Sequence, residues 1–170
     1  MTVHGRTESA VLVPIYRDAE GFAHAVFTKR RDDLKRHAGE ISFPGGRRDD
    51  TDADLQETAL REAEEEIGLD RADVDVVGAL PPTPTFVTDY AIYPFVGLID
   101  AGREWTIQPA EVDRVLEFRL ADVRRGYGRR RLVRRGVPFR TDTYVVDENL
   151  IWGATARIVS DLLERTEGIA

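Results

Sequence analysis

One stretch, Gly45 to Leu69 (GGRRDDTDADLQETALREAEEEIGL), constrains the fold of this chain more than any other. A strand-like run, Glu40 to Pro44, enters a glycine pair, then an acidic loop, then a helix-forming segment. Passage from strand through loop to helix commonly builds a phosphate or metal site. Thr51 or Asp52 suits the helix N-cap, with Asp54 placed to accept early backbone N–H groups, and Gly68 ends the helix. At about 100° per residue, Ala59, Leu60, Ala63 and Ile67 share one apolar stripe that must face a core. Glu62, Glu65 and Glu66 lie on an adjoining arc, Glu66 nearest the buried edge, and Glu64 falls on the other side. Such carboxylates repel one another unless a cation offsets them, and Mg²⁺ is a hard ion that takes carboxylate oxygens together with substrate phosphates. The competing reading is a solvated acidic helix face.

Other loop chemistries fit less well. Asp50, Asp52 and Asp54 alternate as in a calcium-binding EF-hand, but Leu55 stands where that loop needs Gly and Arg61 where it needs Glu. No phosphate-binding loop ending in Gly-Lys-Ser/Thr occurs. With 170 residues and 42% hydrophobic content, the chain is expected to form a single domain, residues 1–170, with a substantial core. A net charge of -7 argues against nucleic acid as a general partner. The absence of cysteine excludes disulfides, thiolate metal sites and a thiol nucleophile. With no apolar leader and no run approaching the roughly 20 apolar residues that span a bilayer, a cytoplasmic protein without membrane partners is expected. A homodimer is compatible with these features.

Along the chain, Glu8 to Tyr16 and Phe22 to Thr28 are apolar runs around a turn and predict a hairpin. The basic segment Lys29 to Gly39 leads into the glycine pair. As a loop beside a metal site it presents Arg30, Lys35 or Arg36 to phosphate oxygens; otherwise it is a solvated loop. Asp73 to Leu80 and Tyr90 to Ile99 predict strands, with a proline-set loop from Pro81 to Thr88 between them. Phe86 or Tyr90 is placed either to stack on an adenine ring or to pack in the core. Ala121 to Arg125 reads as a helical turn. Arg124 to Arg135 carries seven arginines in twelve positions and, with strand-like Gly136 to Val146, predicts a protruding hairpin. Its arginines are read as solvated, as a grip for a ligand phosphate or as an RNA contact. Asn149 to Glu164 has apolar residues at helical spacing and predicts a core-docking helix, with Trp152 in the core.

Arg61 to Leu69 (REAEEEIGL) fits the second half of the Nudix box position by position, and Gly45-Gly46 supplies its glycine-led start, so the chain resembles a Nudix hydrolase. One residue is extra: Asp52 follows Gly46 at the usual distance, but eight residues rather than seven then precede Arg61. Thr28-Lys29-Arg30 with Leu34 to Gly46 (LKRHAGEISFPGG), Pro94 to Gly97 and Ile151 to Ala156 are similar to the coenzyme A diphosphatase branch. Lys35 stands where that branch typically has Arg, Arg31 where it often has Ser or Ala, and Phe86 replaces a Ser-Gly-Phe run. Ile107 to Leu120 resembles the family segment in which an acidic residue precedes a strand.

The resemblance implies an α/β fold, a Nudix-type α/β/α sandwich with a central mixed β-sheet. It implies Mg²⁺- or Mn²⁺-dependent hydrolysis of a diphosphate bond in a small nucleotide substrate. The expected substrate is coenzyme A or an acyl derivative, cut to phosphopantetheine and adenosine 3′,5′-bisphosphate. ADP-ribose, another nucleotide sugar or a dinucleotide is the alternative substrate, and a non-catalytic nucleotide-binding module the alternative class. Carried over by residue, Glu62, Glu65, Glu66 and the Gly46 carbonyl hold metal, with Glu62 also a general base. Arg61 orients one of these carboxylates through a bidentate pair. Glu111 serves as the remaining carboxylate, unless it merely caps a turn.

Overall fold

The first strand, β1 (Thr7–Arg17), has no polar face in its middle: Ala10 and Leu12 enter one apolar cluster, while Val11, Val13 and Ile15 pack in another. A strand buried on both faces belongs inside a sheet covered by layers on either side. That is its place in the computed structural model, which describes residues 6–35, 37–85 and 89–168. After it come β2 (Ala23–Arg30), β3 (Ile41–Ser42), β4 (Gly45–Arg47), α1 (Leu55–Ile67), a 3-10 turn (Arg71–Asp73), β5 (Asp75–Ala79), β6 (Thr83–Pro84) and β7 (Tyr90–Leu98). The chain continues through β8 (Val112–Arg119), α2 (Leu120–Arg125), β9 (Tyr127–Arg134), β10 (Val137–Val146), β11 (Asn149–Ile151) and α3 (Gly153–Arg165).

β1 to β8 form one mixed sheet, in which β7 runs parallel to β1 from Thr7 to Ile15. β1 and β2 pair only beside their turn, at Ile15–Ala25 to Arg17–Ala23. Farther along, β1 pairs with β4 at Ser9 to Val11 and β2 pairs with β3 at Thr28 to Lys29. The two strands therefore fork, and the segment from Ile41 to Arg47 fills the fork. Gly45 is required there, since a Cβ would come to 2.3 Å from the Ala10 carbonyl oxygen.

On one face α1 lays Ala59, Ala63 and Ile67 against Ala10, Leu12 and Val26. On the other, Val13, Phe27 and Phe118 meet Val123 of α2 and Ile158 and Leu162 of α3. β9, β10 and β11 form a separate antiparallel sheet on that side. The result is the expected α/β/α sandwich with a central mixed sheet, enlarged by a three-stranded sheet beside α3.

Several elements differ from the sequence reading. Asp54, rather than Thr51 or Asp52, is the N-cap of α1: its carboxylate accepts the Glu57 N–H at 2.8 Å. Asn149 to Ile151 is not the first turn of the last helix, because β10 takes up its backbone groups as β11; α3 starts at Gly153, whose φ of 67° favours glycine. The run from Glu40 to Pro44 shrinks to Ile41–Ser42, and the glycine pair is itself part of a strand. Within the proline-set loop, Thr83 and Pro84 pair with β7, whereas 86–88 lie outside the described residues.

Candidate active site

The site grows out of the fork. β4 carries Gly45 and Gly46 along β1, and α1 crosses above them, so that Glu62 and Glu66, one turn apart, face the glycine backbone. The Gly45 backbone favours the charged form of the Glu66 carboxylate, against the effect of burial. Gly46 lies so close to Glu62 that a Cβ would stand 2.5 Å from Oε1. Glu66 is buried and Glu62 nearly so, with 16% of its side chain exposed, whereas Glu65 is 57% exposed.

From the opposite side the stretch after β7 closes in. The Gln108 N–H donates to the Glu66 carbonyl at 2.9 Å and the Thr106 N–H to that of Ile67 at 3.1 Å, which ties this stretch to the end of α1. Glu111 stands at its end, its carbonyl accepting from the Arg31 N–H at 3.2 Å. Arg31 also donates to the Pro109 carbonyl at 2.8 Å, so the residue that departs from the branch pattern props the Glu111 segment. Exposed Glu111 is near enough for its charge to act on both Glu62 and Glu66, and Arg30, at the end of β2, acts on Glu66 with opposite sign. The Nε of Arg30 is buried without a hydrogen-bond partner.

Burial, with repulsion from Glu62 and Glu111, pushes the Glu66 carboxyl up to about 8. Burial likewise raises Glu62, partly offset by Arg61. Oxygen donors under this repulsion, beside a glycine that leaves room, fit a hard divalent cation. Among the described residues no three acidic or imidazole side chains form a ready-made metal cage. Arg61 Nη1 reaches both Glu62 and Glu65 at 3.2 Å.

Arg61 corrects the sequence reading. Its bidentate pair is not with a glutamate of the helix but with Asp52: Nε donates to Oδ1 at 2.8 Å and Nη2 to Oδ2 at 2.9 Å. Asp52 is preorganised for this fork, accepting from the Asp49 N–H and from the Thr58 hydroxyl, each at 2.9 Å. The Arg61 guanidinium holds the Asp52 carboxyl well below the usual carboxylate range, against the opposing effect of burial. Asp52 was expected at the helix N-cap and not as the partner of Arg61; its distance from Gly46 was the available signal.

Of the other candidates, Lys35 is exposed on the loop between β2 and β3, and Arg36 and Phe86 lie outside the described residues. Tyr90 begins β7, half-buried, its N–H donating to Thr85 Oγ1 at 3.0 Å. Trp152 is half-buried rather than a core residue, with Phe139 and Arg134 on its ring. No helix among the described residues is long and apolar enough to cross a membrane.

Comparison with known proteins agrees with this geometry. The fold is similar to the NUDIX domain of Shewanella oneidensis NrtR complexed with ADP ribose, at a TM-score of 0.65 and 16% identity, covering 96% of this chain and 90% of that one. It is also similar to a MutT/nudix family protein from Enterococcus faecalis, at a TM-score of 0.66 and 12% identity, over 98% of this chain and 64% of the other. In sequence, the uncharacterized Nudix hydrolase NudL of Cronobacter sakazakii (strain ATCC BAA-894) is 40% identical over 157 residues, 91% of this chain and 80% of the relative. NudL of Escherichia coli (strain SMS-3-5 / SECEC) is 38% identical over the same shares. The NUDIX domain family model matches residues 6–136, and the chain belongs to the Nudix hydrolase family, enzymes that act on phosphorus-containing anhydrides.

Proposed function

We propose that this Nudix hydrolase cleaves the diphosphate bond of coenzyme A or an acyl-coenzyme A, giving phosphopantetheine and adenosine 3′,5′-bisphosphate. The substrate reading rests on the sequence LKRHAGEISFPGG, whose segment occupies the fork between β1 and β2 and delivers Gly45 and Gly46 to the carboxylates. The observation that carries the catalytic reading is the burial of Glu66 and Glu62 against the glycine backbone, with Glu111 across from them.

Nudix hydrolases generally use divalent metal ions. Here Glu62, Glu66 and Glu65, with the Gly46 carbonyl, would hold Mg²⁺ or Mn²⁺, and Glu111 would complete the set. Such an ion neutralises diphosphate charge and makes a bound water more acidic. The protein's own residues do the rest. Glu62, partly desolvated and held by Arg61, takes the proton of the attacking water. Asp52 fixes Arg61, and Arg61 in turn sets the rotamers of Glu62 and Glu65. Arg30, with its buried Nε unpaired, offers charge to a phosphate oxygen.

The test of substrate is one product assay comparing coenzyme A, dephospho-coenzyme A, ADP-ribose and NADH with Mg²⁺ or Mn²⁺. Preference for coenzyme A supports the proposal; use of ADP-ribose with neglect of coenzyme A replaces it. The test of site is the pair Glu65→Gln and Glu66→Gln, which should stay folded and lose metal-dependent turnover. Full turnover in both would remove these residues from the metal site.

A further inference from the structure

The most polarised part of the molecule lies outside this site. From 123 to 141 the sequence has eight arginines and no acidic residue, in a chain whose net charge is -7. Near the base of the β9–β10 hairpin the cations are answered: Arg124 donates to the Leu163 carbonyl, Arg125 pairs with Asp122, and Arg129 faces Asp142 across the strands. Farther out, Arg130, Arg131, Arg135 and Arg140 are all exposed, and Arg131 stands directly opposite Arg140. Like charges in that position destabilise a hairpin unless something anionic faces them.

The outer end is also apolar. Val133 and Val137 are 68% and 63% exposed, more than the other exposed large hydrophobic residues described; Val137 follows the turn directly, opposite Arg134, and Val133 stands in the next pair, opposite Pro138. That turn is built to project: Arg135 and Gly136 both have positive φ, 50° and 77°, as a tight two-residue hairpin connection requires. A solvated arginine loop has no need of two bare valines at its tip.

We propose that the β9–β10 hairpin docks on an anionic lipid surface, with its outer arginines on lipid phosphates and Val133 and Val137 entering the zone between headgroups and acyl chains. This is contact with a surface and not a span. Basic clusters gain from the negative potential of such a surface, and apolar side chains add burial at the interface. A nucleic acid fits less well, because single strands are held by open aromatic faces. Phe139 and Trp152 pack on each other with Arg134 over the Trp152 ring, and one face of the exposed Tyr127 ring packs on Tyr144 while its hydroxyl is bonded to Asp142. The aliphatic tip decides for lipid.

The experiment is co-sedimentation of the full chain with vesicles of phosphatidylcholine alone and of phosphatidylcholine and phosphatidylglycerol in equal parts. Strong preference for the anionic vesicles is expected. Arg131→Gln with Arg140→Gln should weaken binding by roughly fivefold per arginine. Val133→Ser with Val137→Ser should abolish the binding that survives raised salt. Both variants should keep the turnover of soluble substrate, and neither should lower the melting temperature. Equal binding to both vesicles, no binding, or valine variants that behave as wild type would overturn the proposal. So would arginine variants that raise KM for coenzyme A while vesicle binding stays unchanged, or displacement of the protein from vesicles by polyuridylate that is insensitive to the valine substitutions.

Discussion

The acidic helix α1 and the basic β9–β10 hairpin both concentrate like charge, and they hold it in opposite ways. In α1 the charge is turned inward: Glu66 is buried and Glu62 mostly covered. Arg61, anchored by Asp52, neutralises part of the set from within. In the hairpin the outer arginines point to solvent, with no acid between 123 and 141. Buried like charge raises the free energy of the empty site and so increases what a bound cation gains. Exposed like charge is screened by water and salt, strains the fold little, and awaits a large counter-surface.

The sharpest break of this contrast is Glu62→Gln. Turnover of the diphosphate substrate should fall by about 10²–10⁴-fold while the melting temperature holds or rises. Unchanged turnover would make α1 merely another charged surface. Next is Gly46→Ala, whose Cβ would stand 2.5 Å from Glu62 Oε1 and push the carboxylate aside. A displacement of about 1 Å can lower turnover by roughly 10²-fold, and normal kinetics would show that the glycine backbone does not set Glu62.

Asp52→Ala tests the internal counter-charge. Removing one partner of a largely buried pair costs about 3 kcal/mol, or roughly 6–12 °C in melting temperature for a chain of this size. Because the folded-state Asp52 carboxyl is lowered, its stabilisation is complete above the unfolded-state range near pH ~3.9 and is lost as pH falls toward the folded value. Denaturation of wild type and Asp52→Asn should therefore converge in acid; a gap constant with pH would deny the ion pair its role. The smallest effect is in the hairpin. Arg140→Gln should stabilise by about 0.2–1 kcal/mol through relief of Arg131, and added salt should shrink the gain. Destabilisation would mean that the pair is already answered by an internal anion.

Much of the inner region was legible along the chain because helix geometry is periodic. The arc of Glu62, Glu65 and Glu66, the burial of Glu66 at its edge and the outward Glu64 all follow from rotation per residue, and Glu64 indeed pairs outward with Arg71. The hairpin was legible too, since its turn residues and strand patterning are local. The Arg61 pair was not. Its partner Asp52 is nine residues away through an irregular loop, where no period relates one side chain to another.

Sequence by itself determined the longer strands and α1, the apolar stripe of α1, the family and the crowding of carboxylates, because each depends on neighbours within a few residues. Tertiary structure decided the fork of β1 and β2, the lodging of β3 and β4 within it, the approach of Glu111 and the prop from Arg31. It also turned Asn149 to Ile151 from helix to strand. Those outcomes depend on backbone groups finding partners far along the chain, and burial chooses among such partners only when the whole sheet has assembled.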